Sequence, residues 1–195
     1  MFKFFLRWLD SWSLLNSSES NVIKSSKAIK DTQVQWLRIV PFILLHIACL
    51  AVFWVGVSWF SVAFMLAFYL IRMFAITGFF HRYLAHKTFQ TSRPVQFFFL
   101  LIGTMSAQRG PLWWAAHHRY HHRFTDTEHD PHSSQHGFWY SHVGRFLNDQ
   151  NFFKRKDVIK VWLKFPEIVW LARFSLPVVL LTALPIHGFG EWLAV

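Results

Sequence analysis

Two apolar runs, Trp36 to about Val55 and about Trp59 to Phe80, restrict what this chain can fold into more than any other feature of it. Each holds about twenty residues, and a helix rising about 1.5 Å per residue spans the roughly 30 Å hydrocarbon of a bilayer in that length. Within the first run the ionisable groups are Arg38 at its start and His46 inside it. Gly56 to Ser58 permits a tight turn, so the pair reads as a transmembrane helical hairpin. Arg72 is the charged residue of the second run, near enough to its end for a long side chain to snorkel to the head groups. The composition, 53% hydrophobic and 19% aromatic with 15% charged, is far from soluble averages and agrees with a bilayer as solvent.

A net charge of +10 would suggest nucleic acid in a soluble protein. Here Lys and Arg, apart from Arg38 and Arg72, lie outside the two apolar runs, where membrane topology accounts for them, and no nucleic acid partner is expected. Six of these cations precede or open the first run, the turn has none, and twelve lie between His81 and Lys164. The positive-inside rule therefore puts the N-terminus and the region after the hairpin on the cytoplasmic side. Residues 1–15 are too charged and aromatic for a secretory signal and read as an interfacial helix. A polar, serine-rich linker with Lys24, Lys27 and Lys30 follows, so 1–35 form an N-terminal appendage and 36–195 the membrane domain. The lone Cys49 excludes an internal disulfide and a four-thiolate metal site.

The next apolar segment, Val95 to about Ala107, is roughly 20 Å long as a helix, too short to span. Spanning would also put His81 and His118 on opposite faces of the membrane. A helix that dips in and returns is expected, with Gly110 and Pro111 closing the return. Residues 144–164 are charged, and Val169 to about Leu184 starts a third span interrupted by Pro177 and Pro185. The fold class is thus all-α and integral to the membrane: a hairpin, cytoplasmic histidine-bearing helices, one non-spanning interfacial helix and the start of a third span. No polar tail follows Glu191 to Val195, and the chain is expected to be incomplete.

Ten of the twelve histidines fall between His81 and His142. Neither packing nor solubility requires that density, and the spacing favours metal over a pH-sensitive surface. His118, His121 and His122 form an HxxHH motif. At about 100° per residue, His121 lies about 60° to one side of His118 and His122 about 40° to the other, so three imidazoles share one helix face. His81 and His86, five apart, are about 140° apart on a regular helix and suit a site approached from two sides or the frayed end of the second span. Imidazole suits iron, zinc and copper, and no carboxylate stands at the spacing of a ferritin-like ligand set. His46 and His187 read as structural, His117 competes for the same helix register, and His129, His132, His136 and His142 read as outer partners or loop residues.

The segments HRYLAH, WAAHHRYHHRF, EHDPHS and GFWYSHVG resemble the first two histidine boxes and connecting loop of the membrane fatty-acyl desaturases of the stearoyl-CoA Δ9 type, over about residues 36–190. The resemblance implies a four-span membrane enzyme with two iron ions on the cytoplasmic side, held almost entirely by histidines. It implies use of O2 to place a cis double bond, at Δ9 in this type, in a long-chain acyl group carried as acyl-CoA or linked to lipid. Electrons would come through a reductase and a carrier of cytochrome b5 or ferredoxin type. Carried over by position, the ligands are His81, His86, His118, His121 and His122. Trp113, Trp114 and Trp139, with Phe138 and Tyr140, suit an acyl tunnel or its mouth as well as they suit interfacial anchoring.

The family's third box, a second HxxHH, and its Asn-containing motif have no counterpart here, and the 195-residue chain alone is expected to be inactive. Ala116 and His117 stand where acyl-CoA enzymes of animals carry an Arg-Asp pair that contacts CoA, which weakens the case for CoA. Lys154, Arg155 and Lys156 could meet phosphates or anionic lipid. Two other readings stay open: a histidine-box lipid or alkane hydroxylase, and, from another class, a membrane metal transporter or haem electron carrier. Transporter and haem ligands sit within spans, whereas this cluster lies beyond the helix ends.

Overall fold

The computed structural model describes residues 36–127, 130, 135, 137–144 and 159–182. The N-terminal appendage, the basic run at 154–156 and His187 lie outside them. Every regular element among the described residues is helical. The chain forms two compact units, one holding 63–120 and 159–182 of the described residues, the other 36–62 and 121–144. The cuts at 62/63 and 120/121 fall inside continuous helices, and those helices are described whole.

In the smaller unit, α1 runs from Trp36 to Cys49 and α2 from Val52 to Val55. The first apolar run is therefore not one uninterrupted helix: it turns at Leu50 and Ala51. Gly56, at a φ of +80°, ends α2 in a conformation that costs glycine nothing. α3, Trp59–Phe74, follows, and its winding continues without a break through Ala75–Ala85 as a π-helix. Trp59–Ala85 is long and apolar enough to cross a membrane, by length and composition. No residue of α3 is buried, and Trp59, Phe60, Phe64, Met65 and Leu70 are all exposed.

The core lies in the larger unit. The π-helix packs on α4, Arg93–Thr104, and α4 on α6, Pro166–Arg173. Phe80, Leu84, Leu100, Leu112, Ile168 and Leu171 are fully enclosed. α4 forms because Ser92, in extended conformation, leads into Arg93 and Pro94 at the first helical positions, where proline's missing N–H costs nothing. At twelve residues α4 has the short length expected of the third apolar segment. Arg72 departs from the snorkelling expectation. Its guanidinium lies 5.2 Å over the Phe68 ring and donates to Ser106 Oγ at 3.3 Å and to the Met105 carbonyl. A cation there offsets the negative end of the α4 dipole and occupies the carbonyl of Met105, the residue that caps α4. After α6 the helix breaks at Phe174 and resumes over 175–182, so Pro177 sits in the first turn of a new helix and is not itself the break.

Two close approaches fix this packing. A Cβ on Gly110 would stand 2.7 Å from Ala172 Cα, which is backbone and cannot rotate aside. Gly110→Ala is expected to cost about 1–3 kcal/mol through overpacking, read as a lower melting temperature in detergent micelles. Gly103 is similarly closed by the Phe80 ring, 2.5 Å from where a Cβ would sit.

Buried and half-buried polar groups between α4 and its neighbours pair with one another. Tyr83 donates its hydroxyl to Gln96 Oε1 at 2.6 Å, and Gln96 Nε2 donates to Glu167 Oε1 at 3.0 Å. Arg93 grips both carboxylate oxygens of Glu167, at 2.9 and 2.6 Å. The hydrogen bonds from Arg93, before any other cause, hold the Glu167 carboxyl below its ordinary range. A group whose folded pKa is depressed contributes stability above its unfolded value and loses it as pH falls through the folded one. Glu167→Gln is therefore expected to lower the melting temperature at neutral pH and to flatten its decline on the acid side of about pH 4.5. Parallel melting curves from pH 3 to pH 7 check this.

Candidate metal centre

The π-helix decides how the first histidine pair is presented. In an α-helix residues five apart diverge, but a winding bonded i to i+5 brings them nearly into register. The backbone bond from His86 N–H to the His81 carbonyl, at 3.0 Å, is such a bond. The two rings accordingly meet, with Nε2 atoms 3.2 Å apart. The divergence expected of a regular helix does not arise, because the helix is not regular there. Lys87, at a φ of +54°, ends the element and donates its N–H to the Tyr83 carbonyl.

The second set stands on α5, Pro111–Arg123, which carries Pro111 in its first turn. His118 Nε2 lies 3.1 Å from His86 Nε2, and the His81 and His118 ring centroids are 4.5 Å apart. One turn further along the same helix, His122 completes a group of four whose ligating nitrogens all lie within 4.8 Å of one another. At a metal–nitrogen bond of about 2.1 Å, neighbouring ligands stand about 3.0–3.4 Å apart for octahedral or tetrahedral angles. The 3.1 and 3.2 Å separations match that spacing, so the donor set fits a nitrogen-ligated transition metal.

Arg119, between the ligands on α5, ties the two sets together. It donates from Nε to the Ala85 carbonyl at 2.7 Å and from Nη2 to the Leu84 carbonyl. Trp162 adds an Nε1 bond to Leu84 at 2.9 Å. Burial lowers the pKa of the Arg119 guanidinium, so its charge is held there against a desolvation cost by the carbonyls at the end of the π-helix. Trp114 stacks on His118 with centroids 4.9 Å apart and meets His81 edge-on at 6.2 Å, walling one side of the cluster.

The fifth sequence-derived ligand, His121, is engaged differently: its Nδ1 lies 2.8 Å from Asp130 Oδ1, and it is not among the four gathered nitrogens. His117 is buried, stacked on Trp113, with Nδ1 3.0 Å from the Trp113 carbonyl. Arg109 lies 4.5 Å over Trp113, whose Nε1 is buried without a partner among the described residues. His142 stacks on exposed Phe138, Trp139 is exposed beside it, and His46 is exposed on α1. His129, His132 and His136 lie outside the described residues. The reading of the sequence missed Arg119 and Asp130. The signal for Arg119 was a cation lodged inside an HxxHH face, and for Asp130 the acid in EHDPHS.

These features define a helical protein with four clustered imidazoles that could hold a metal ion, two of them at the end of a long apolar helix. Its relatives carry one kind of name. The chain is 41% identical over 114 residues to the sn-1 stearoyl-lipid 9-desaturase of Anabaena variabilis, an alignment covering 57% of this chain and 42% of that one. It is 33% identical over 188 residues to an acyl-CoA 5-desaturase of Anemone leveillei, covering 72% and 56%. Against the sn-2 palmitoyl-lipid 9-desaturase of a Nostoc strain it is 32% identical over 168 residues, covering 82% and 58%. The chain is a homologue of the fatty-acyl desaturases, which are oxidoreductases. It spans about half the length of the curated relatives it matches. No family model matches it.

Proposed function

We propose that this protein takes part in placing a cis double bond, at the Δ9 position, in a long-chain acyl group, with O2 as oxidant and two iron ions held by histidines. The observation that carries the proposal is the convergence of His81, His86, His118 and His122 in a chain whose relatives are named acyl-lipid and acyl-CoA desaturases. Bound iron would supply the oxidising power that an unactivated methylene demands. The chain's own residues supply the rest. His81 and His86 from the π-helix and His118 and His122 from α5 would hold one ion, and His121 is proposed as a ligand on the adjoining face of α5. Arg119 keeps the two ligand-bearing elements together. Trp114 excludes water from one side and presents an apolar wall to an acyl tail, a better placement for that role than Trp113 or exposed Trp139.

The membrane placement belongs to the same reading. The apolar side chains that α3 leaves exposed would cost too much in water, and a bilayer takes them at no cost. α1 to α3 are proposed as the hairpin, α4 as the non-spanning helix and the helix from 175 as the start of a third span. Residues 36–195 then form one membrane domain, with the histidines and the N-terminus cytoplasmic. Electrons are proposed to arrive from a reductase through a cytochrome b5 or ferredoxin-type donor.

Metal analysis of the purified chain after loading with ferrous iron tests the site: bound iron without a Soret band supports it, and a haem spectrum or no bound metal overturns it. Mass spectrometry of acyl lipids in cells expressing the whole protein tests the reaction. Loss of two mass units is expected, and gain of sixteen would assign a hydroxylase instead.

A further inference from the structure

Trp59, Trp54 and Phe53, at 89%, 84% and 81%, are the most exposed large apolar side chains among the described residues, and Val57 between them is 68% exposed. All four flank Gly56, where α2 ends and the chain turns toward α3. From Ile39 to Ile71 the chain carries no Lys, Arg, Asp or Glu. Two limits fix where such an end can lie. In water, two indoles, a phenyl and an isopropyl group close together in sequence form an apolar patch of the kind that marks a membrane or partner contact. In hydrocarbon, the exposed and non-helical backbone of Gly56, Val57 and Ser58 would find no hydrogen-bond partners in the lipid. The layer between water and hydrocarbon satisfies both. Indole suits it, with a broad apolar face and one N–H donor for the phosphate and ester oxygens found there. Ser58 agrees: its Oγ accepts the Ser61 N–H at 3.1 Å and lies 2.8 Å from Ser61 Oγ, which caps α3 with polar atoms beside Trp59. The patch also runs on without a break into α3, none of whose residues is buried. A protein partner would call for a polar rim, and this end holds no charged residue to build one.

We propose that the Gly56 end of the hairpin is an interfacial anchor, with Trp54 and Trp59 seated in the phosphate and ester layer on the side of the bilayer opposite the histidines. The inference rests on the membrane placement proposed above and adds what fixes its depth. Trp59–Ala85 is one helix of 27 residues. At a rise of at most about 1.5 Å per residue, His81 stands up to about 33 Å beyond Trp59, against roughly 30 Å of hydrocarbon. An indole held at one boundary therefore delivers the first histidine to the other. The same helix without its anchor is free to tilt or slide when the bilayer thickness changes.

The test uses the whole 195-residue chain in phosphatidylcholine vesicles, with Cys49→Ser and Val57→Cys carrying one nitroxide spin label at the hairpin end. Collision of the label with oxygen and with an aqueous nickel chelate reads its depth. With both indoles present, the label is expected at the boundary between head groups and hydrocarbon in thin dimyristoleoyl and in thick dierucoyl bilayers alike. Adding Trp54→Ala and Trp59→Ala is expected to shift the label off that boundary in the thick bilayer. A label on the chain with both indoles that the chelate reaches as freely as in water, or does not reach at all, overturns the proposal even if the alanine variant fails to insert. A label that holds the boundary in both bilayers without the indoles also overturns it. A chain that does not float with the vesicles overturns the membrane placement itself, and the two failures are thereby distinguished.

Discussion

His118→Ala is expected to abolish retention of iron, lowering affinity for ferrous or cobalt(II) ion by more than about 100-fold, since loss of an outer partner alone costs about 10–100-fold. Among the four proposed ligands His118 is the most central. Its Nε2 is 3.1 Å from that of His86, its ring faces His81 at 4.5 Å, and it joins the π-helix set to the α5 set. Alanine favours a helix more than histidine does, so helical content should not fall, and circular dichroism separates lost metal from lost fold. His142→Ala is the matched control. That ring stacks on Phe138 outside the group of four, and metal affinity should stay within a factor of two of wild type, roughly the noise of such comparisons.

Arg119→Leu is expected to damage both stability and metal binding, although Arg119 is no ligand. The substitution keeps an apolar stem but removes donors to the Leu84 and Ala85 carbonyls. Hydrogen bonds to a charged group contribute about 1.5–3 kcal/mol each, and Leu84 keeps Trp162 as a second donor, so a loss of about 3 kcal/mol is expected. Because those carbonyls close the element that carries His81 and His86, metal affinity should fall with stability. Arg119→Lys should recover only part of either, since one ammonium cannot reproduce the guanidinium's two-pronged geometry. Thermal melts and cobalt titrations on the same preparations check both effects.

Much of this was legible in residue order. The helix end at Gly56, the twelve-residue length of α4 and the common face of His118 and His122 follow from glycine, apolar run length and helical period. The meeting of His81 with His86 was not legible, because it depends on five-residue winding, and periodicity arguments assume 3.6. The role of Arg72 was misread for a related reason: run length marks a cation near a helix end but does not say which carbonyl chain stands beside it. Asp130 and Arg119 act through contacts nine and more than thirty residues distant in sequence, and spacing rules for single helices carry no information at such range. The break at Phe174, three residues ahead of Pro177, shows proline starting a helix where a broken span was expected.

The central proposal is that imidazole nitrogens of the π-helix and α5 grip a transition metal. X-ray absorption at the iron edge of the ferrous-loaded chain reads that directly. The expected first shell is dominated by nitrogen at about 2.1 Å, with the outer-shell pattern of several histidine rings, lost in His118→Ala. A shell of oxygen donors without imidazole scattering, or the same spectrum in wild type and variant, would contradict it.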